Sequence, residues 1–310
     1  ATVLCDSAGA ALAREPASAT AMSSLAVVAH SAPVLFAAQV CSAVVAVQAV
    51  HRGLVSAAPL YAAVADRVGP HAAACLANLA VASTAHLVGV LLTIPALVGV
   101  KVWKIQVSRV ASVAQLRRSV PLIALNYVLS VVVSSAATHC GSKPGVLADI
   151  ASELPSGAVL AGQTALFLCL TEVWFYHVHR AFHVNKRLYA LVHKVHHTWQ
   201  APVAIVGTYA HPVEHVGCNM ASILVGPLLC GAHPVTAWAY TLVFAIGAYG
   251  HHCGYWTDDL GMHDLHHEAF NVNYGNAHIL DYLYGTYRVR GAAGPGCAAG
   301  ASKASACKAR

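Results

Sequence analysis

The chain has 310 residues, of which 57% are apolar and only 10% are charged, and its mean hydropathy is +0.60. Soluble domains carry roughly 25% charged residues, so this composition excludes a disordered chain and argues against a soluble globule. The net charge of +6 comes without a basic stripe interleaved with aromatic residues, so nucleic-acid binding is not indicated.

Windows without a charged residue mark the expected membrane spans, which lie at residues 16–51, 68–100, 119–142, 154–171 and 216–257. The first four each offer close to the roughly 20 apolar residues that cross a bilayer, the fourth when it is extended to residue 176. The fifth is long enough for two crossings, and Gly226-Pro227 with the segment 231–234 predicts a reversal near its middle. We therefore expect an all-α, polytopic helical membrane protein with about four to six spans.

The two ends of the chain differ from the rest in composition. Residues 1–20 are rich in Ala and Ser and are predicted to be a tail or a transit remnant, and residues 289–310 are predicted to be a disordered tail. Between them we predict a transmembrane region over 21–150 and a histidine-rich catalytic domain over 151–288. The ten cysteines form no CxxC pair and are expected to be reduced.

The loop 101–118 predicts the orientation of the chain in the membrane. It contains five Lys and Arg residues and no acidic residue, and the positive-inside rule places such a loop in the cytosol. Two spans later the chain returns to the same face at His177, and the helical hairpin returns there before His263. The histidine-rich segments are therefore predicted to form one cytosolic, metal-binding cap.

Histidine is the most unusual feature of the composition, because the chain has twenty, fifteen of them between His177 and His278. They form an HxxxH box, two HxxHH boxes and shorter clusters, at positions 179/183, 193/196/197, 263/266/267, 211/215 and 251/252. Residues i, i+3 and i+4 of a helix lie on one face, and neutral imidazole binds Fe, Zn, Cu and Ni. Two metal ions that share eight to ten imidazoles are predicted. Six isolated histidines are interpreted as structural, while His177 and His278 stay undecided; the six are His30, His51, His71, His86, His139 and His233.

The series HRAFH, HKVHH, HPVEH, HCGY, HDLHH, NVNYG and LDYLYGT, over about residues 165–288, resembles the fatty acid hydroxylase superfamily of membrane di-iron oxygenases. Within it, the chain is most similar to methylsterol monooxygenases and to fatty acid hydroxylase domain-containing proteins. The resemblance implies two iron ions, activation of dioxygen, and electrons that come from NAD(P)H through a separate cytochrome b-type haem protein and its reductase.

The resemblance also implies a set of site residues. The implied metal ligands are His179, His183, His193, His196, His197, His263, His266 and His267, with His211 and His252 as less certain members. Glu214, Asn273 and Tyr274 match motif positions that orient ligands through hydrogen bonds. The implied activity is oxidation of a sterol 4-methyl group in sterol biosynthesis, by an enzyme of the endoplasmic reticulum membrane that takes its lipid substrate from the bilayer.

Other functions stay open at the level of the sequence. An acyl-chain hydroxylase or desaturase would use the same metals, although the interval between His183 and His193 is short for a desaturase. A histidine-rich zinc transporter would place its ionisable ligands inside the spans, where Glu172 is the only acidic residue. A bis-histidine haem protein would not explain paired HxxHH boxes. The sequence has no HExxH, no GxSxG and no electron-transfer module of its own.

Overall fold

The structure is a computed structural model that describes residues 31–257 and 259–290. The predicted tail at 1–20 and residues 291–310 of the predicted C-terminal tail lie outside the described residues. In the described part, the chain is built from helices and loops, and its only extended pairing is an isolated bridge between Lys104 and Tyr255. The prediction of an all-α membrane protein is confirmed.

Four helices in the described ranges are long and apolar enough to cross a membrane. They are α1 (Ala32–Ser56), α3 (Pro70–Leu97), α4 (Val113–Gly141) and α5 (Gly157–Val184). At about 1.5 Å per residue, each exceeds the approximately 30 Å of a hydrocarbon core. A shorter helix, α2 (Ala58–Val68), joins α1 to α3.

The window at 216–257 folds into the predicted hairpin, with its reversal at residues 230–233. Its arms are α8 (Ala221–Leu229) and α9 (Pro234–His251). Neither arm is among the four helices that are apolar enough to cross on their own. The arm α8 has only 9 residues, which is too short to cross. Both arms pack against the bundle, α9 on α1 and α3 and α8 on α5.

Exposure of apolar side chains separates the lipid-facing surface from the core. In the apolar windows of α1, α3 and α4 only 17% of residues are buried, against 33% in α5. Bilayer-facing side chains need no protein contact, so an apolar exterior is expected of such helices. The higher value for α5 arises because this helix packs against α1, α8 and the cap.

A cap of short helices covers the end of the bundle at which α5 finishes. It contains α6 (Lys186–Leu191), α7 (Pro212–Glu214), α10 (Met262–Ala269), α11 (Ile279–Leu283) and two 3-10 segments, His193–Thr198 and Ala204–Thr208. The basic loop between α3 and α4 packs on this cap, because Ile105 N donates to Gly254 O and Trp256 N donates to Trp103 O. The loop and the histidines therefore share one face of the bundle.

Candidate metal centre

The first of two histidine clusters has five members. The last two turns of α5 supply His179 and His183, which are four residues apart and so share one face of the helix. The remaining members, His193 and His197 of a 3-10 segment and His266 of α10, approach that face. One ring nitrogen from each of the five lies within 4.8 Å of every other, a spacing that can hold a metal ion.

The second cluster has four members: His196, His252, His263 and His267. All four are buried, and their ring nitrogens meet the same 4.8 Å spacing. His252 follows the last turn of α9, and His263 and His267 are one turn apart on α10.

The two HxxHH boxes divide their histidines between the clusters in opposite ways. In the box at 193–197, the residues at i and i+4 join the first cluster and His196 joins the second. In the box at 263–267, the residues at i and i+4 join the second cluster and His266 joins the first. Neighbouring positions such as 196 and 197 point in directions roughly 100° apart on a helix, so a whole box does not converge on one point.

The nitrogens that face one another are Nε2 atoms. His183 Nε2 lies 2.7 Å from His193 Nε2, and His252 Nε2 lies 2.9 Å from His263 Nε2. Five further Nε2–Nε2 distances, three within the first cluster and two within the second, are between 3.1 and 3.2 Å.

The other ring nitrogen, Nδ1, shows which tautomer several of these histidines adopt. Nδ1 donates to a backbone carbonyl in four of them, at 2.7–3.1 Å: His179 to Tyr274, His196 to Tyr209, His252 to Ala248 and His266 to Val272. With the proton on Nδ1, each Nε2 carries a lone pair. His196 Nε2 and His252 Nε2 are 3.2 Å apart, and two lone pairs at this distance repel unless a cation lies between them. The donor set therefore fits a bound metal ion.

Burial keeps the imidazoles in their neutral, metal-binding form. Burial lowers the pKa of His196 to about 4, with the hydrogen bond to Tyr209 opposing the shift. The pKa values of His263 and His267 are held well below the usual range, by burial first and by neighbouring histidines second. Protonation does not compete with a metal ion for these nitrogens near neutral pH.

Glu214 contacts the first cluster from the side. Its Oε1 lies 2.9 Å from His193 Nδ1, and both side chains are almost fully buried. Burial raises the pKa of this carboxyl well above its usual value. Glu214 ends α7, and the next residues, His215–Met220, form a π-helical segment. Such local widening of a helix is frequent at functional sites.

His211, one of the ten candidate ligands of the sequence analysis, is in neither cluster. Its Nδ1 accepts a hydrogen bond from Val213 N, so it caps the start of α7. The adjacent His215 bonds to Ser130 Oγ at 2.8 Å and also lies apart from the clusters. The two undecided histidines, His177 and His278, contact Val173 O and Asp281 respectively.

The NYG motif shapes the loop that holds His179. Asn273 donates to Met262 O and Arg288 O, and thereby joins α10 to the C-terminal segment. Tyr274 acts through its backbone carbonyl, which accepts from His179 Nδ1. Gly275 is required by space, because a Cβ atom there would lie 2.6 Å from Glu172 Oε1.

Two buried carboxylates that the sequence analysis did not assign to the site organise the same loop. Glu172 accepts backbone hydrogen bonds from residues 276, 277 and 280, and Asp281 accepts from Tyr274 N and Gly275 N. The available signal for Glu172 was its position seven residues before His179, on the same face of α5. Asp281 gave no such signal, although its carboxylate binds the side chains of His278 and Thr286 as well as the two backbone N–H groups.

Asp264, between two cluster histidines on α10, connects the cap to the basic loop. Its Oδ1 accepts from Gln106 Nε2 at 2.9 Å and from Arg290 Nη2 at 2.8 Å. Burial raises its pKa to about 6, against the opposing effects of Gln106 and Arg290. Arg290, which the sequence analysis places in the C-terminal tail, also pairs with Glu268.

A large cavity connects the clusters with the membrane-spanning bundle. It has about 1260 Å³ of empty space including its open mouth. Three members of the second cluster line it, His196, His252 and His263, but only His179 of the first does. Its walls combine apolar side chains such as Val81 and Phe244 with scattered polar groups from α3, α4 and α9.

Comparison with known proteins identifies the part of the chain that carries this centre. Residues 164–286 match the fatty acid hydroxylase family. This segment is similar to fatty acid hydroxylase domains. It contains all nine cluster histidines and the loop that positions His179, and the predicted superfamily is confirmed.

The relatives that match this segment are named for different lipid substrates. The human fatty acid hydroxylase domain-containing protein 2 is 40% identical over 139 residues, which are 43% of this chain and 41% of the relative. Fatty acid hydroxylase ahd1 of Mycosarcoma maydis is 33% identical over 187 residues, 59% of this chain and 49% of the relative. Methylsterol monooxygenase 2-2 of Arabidopsis thaliana is 32% identical over 148 residues, 43% of this chain and 55% of the relative. The matches thus span about half the length of these curated relatives. No solved structure shows a significant match.

Proposed function

We propose that this chain is a dioxygen-dependent lipid hydroxylase whose two histidine clusters hold two iron ions. The observation that carries the proposal is the convergence of nine histidine Nε2 atoms in two groups, at the end of a cavity that enters the membrane-spanning bundle. The names of the relatives, which include fatty acid hydroxylases and a methylsterol monooxygenase, support oxidation of a lipid.

Iron in this centre would supply the activation of dioxygen and the oxidation of an unactivated C–H bond. The overall reaction converts R–H, O2, two electrons and two protons into R–OH and water. The described residues include no electron-transfer module, so the electrons would come from NAD(P)H through a separate haem protein. Exposed cations on the cap side, among them Lys101, Arg109 and Lys194, offer a surface for an acidic donor.

The residues of this chain would provide placement and shielding. His179, His183, His193, His197 and His266 would hold one ion, and His196, His252, His263 and His267 the other. Backbone carbonyls and Glu214 orient the rings, while the cavity receives the lipid and limits access of water.

Among lipids, we propose a sterol 4-methyl group as the substrate, with an acyl chain as the alternative. The methylsterol monooxygenase relative supports the first, and ahd1 of Mycosarcoma maydis supports the second. Deletion of the gene should make 4-methyl sterols accumulate. A mutant with unchanged 4-methyl sterols and missing hydroxyacyl lipids would favour the alternative.

The location would be the endoplasmic reticulum membrane, with the cap in the cytosol. After the ten native cysteines are replaced by serine, single cysteines introduced at Lys104 and at Lys143, near opposite ends of the bundle, can be labelled in sealed microsomes with a membrane-impermeant reagent. Labelling at position 104 but not at position 143 is expected. The reverse pattern would place the cap on the lumenal side.

The central test is metal content per chain of detergent-purified protein from iron-sufficient cells. About two irons, without haem absorbance, are expected. His139→Ala serves as a histidine-removal control, because the His139 ring stacks against His71 at the far end of α4. This variant should keep the metal content unchanged. Folded protein that binds no metal would refute the proposal. The metal content of His211→Ala shows whether that residue is a ligand.

A further inference from the structure

The cavity contains a titratable side chain that the metal clusters do not use. His86 lies within α3, one of the membrane-spanning helices, and lines the same cavity as His196 and His252. An ionisable residue inside a span is costly and therefore points to a function. The sequence alone indicates a structural role for His86, because this residue lies outside every histidine box.

His86 is paired with a tyrosine from the opposite wall. Its Nδ1 lies 3.0 Å from Tyr249 Oη, and its ring also lies against Tyr127, with centroids 5.1 Å apart. The Tyr249 ring fits there because of Gly89, at which a Cβ atom would lie 2.9 Å from that ring. When Tyr249 donates to Nδ1, His86 carries its proton on Nε2 and becomes a hydrogen-bond donor.

This pair lies close to the second cluster. Tyr249 comes three residues before His252, which is about 4.5 Å along the helix axis. Both residues line the cavity, as does Gly207, which packs against the His252 ring. An oxygen atom bound at this pair would therefore lie near the carbon that is oxidised.

Asn78, a polar residue further from the metal clusters, is less suited to bind a ligand. Asn78 Nδ2 donates to Ala74 O and to Thr138 Oγ1, so both of its amide protons are used within the protein. Asn78 precedes His86 by eight residues on α3, which places it about 12 Å further along the helix axis. Asn78 is thus occupied within the protein, whereas the His86–Tyr249 pair lies beside the second cluster.

We infer that His86 and Tyr249 bind a hydroxyl or carbonyl oxygen of the substrate, so that the enzyme oxidises lipids at a carbon only a few bonds from that oxygen. The inference rests on the proposed hydroxylase function and narrows its substrate class. It disfavours oxidation in the middle or at the far end of an unfunctionalised chain.

The test uses binding of radiolabelled probes to the purified full-length protein, and needs no turnover. Two matched pairs are compared: a 4-methyl sterol with its 3-deoxy analogue, and hexadecanol with hexadecane. One net hydrogen bond corresponds to about a tenfold preference, so the wild type should prefer the oxygen-bearing member of at least one pair by about that factor. Tyr249→Phe and His86→Leu should abolish that preference and leave binding of the oxygen-free member unchanged.

Ser134→Ala, in the same cavity, is the matched control and should keep the preference. Equal binding of both members by the wild type in both pairs would overturn the inference, and so would a preference that survives both variants. Metal content separates the two proposals, because Tyr249→Phe should retain about two irons. A wild type without iron would defeat the hydroxylase proposal, whereas a wild type with iron but without preference would defeat only this inference.

Discussion

The two histidine clusters are built from similar parts but face different surroundings. The first has five histidines, lies where α5 ends, and is surrounded by the loop of Tyr274 and by Glu214. The second has four, and three of them line the cavity. A larger set of ligands, whose rings are held by further hydrogen bonds, favours retention of a metal ion. A smaller set beside a cavity leaves coordination positions open for other molecules. On the proposed function, the lipid and dioxygen would approach the second cluster.

The largest expected effect comes from removing one ligand from each cluster. His266→Ala removes a member of the first cluster and His196→Ala a member of the second. Each should lower the metal content from about two to about one ion per chain and abolish turnover, while membrane insertion is retained. Turnover that persists in either variant would contradict the assignment of that histidine as a ligand.

Gly275→Ala should be the next most harmful change, and it should act on the first cluster. The added Cβ would lie 2.6 Å from Glu172 Oε1 and 2.9 Å from Asp281 Oδ2, so the loop that holds His179 must shift. We expect the free energy of unfolding to fall by about 2–3 kcal/mol and metal retention to weaken. Thermal unfolding and metal analysis measure the two effects.

Gly217→Ala is the control for Gly275→Ala, because a Cβ at that position meets no atom within 4 Å. If the two alanine variants behave alike, the close approach at Gly275 is not what constrains the loop.

Glu214→Gln keeps the shape of the side chain and replaces the carboxyl group that contacts His193 with an amide. Because Glu214 contacts His193 and no member of the second cluster, we expect a 10- to 100-fold loss of affinity at the first cluster only. Competition with a chelator of known affinity measures each site. Glu153→Gln, at an exposed pair with Lys143, should change neither affinity. Equal weakening of both sites would show that Glu214 acts on the fold rather than on His193.

The smallest effect is expected at the brace between the cap and the basic loop. Arg290→Ala removes a partner from the buried carboxylate of Asp264, which keeps Gln106. We expect a loss of about 1 kcal/mol in unfolding free energy, with metal content unchanged. Lys143→Ala should cost less, because exposed ion pairs contribute little. Denaturant titration of both variants checks this order.

The general fold could be predicted because the charge-free windows and the histidine spacings are local signals. The spans α1, α3, α4 and α5 follow from runs of apolar residues, and nine of the ten candidate ligands lie in two clusters. The hairpin arms α8 and α9 were harder to classify, since apolar residues that face protein read like residues that face lipid.

What could not be predicted depends on contacts between distant segments. The spacing separates His196 from His197 but does not show which cluster each one joins, because that depends on how α10 meets the 3-10 segment. His211 is the N-cap residue of α7, because it directly precedes Pro212 and its ring nitrogen accepts a hydrogen bond from a backbone N–H. Glu172 and Asp281 were not predicted because their carboxylates accept hydrogen bonds from backbone N–H groups in the loop after α10. Such contacts leave no pattern of residue types in the sequence.

The opposite division of the two HxxHH boxes has a consequence for assembly of the centre. Each box supplies ligands to both clusters, so a single ion cannot order one cluster without also ordering residues of the other. Once the first ion has paid the entropy of ordering, the second binds more tightly. Titration of the wild-type apoprotein should therefore give a sigmoidal isotherm.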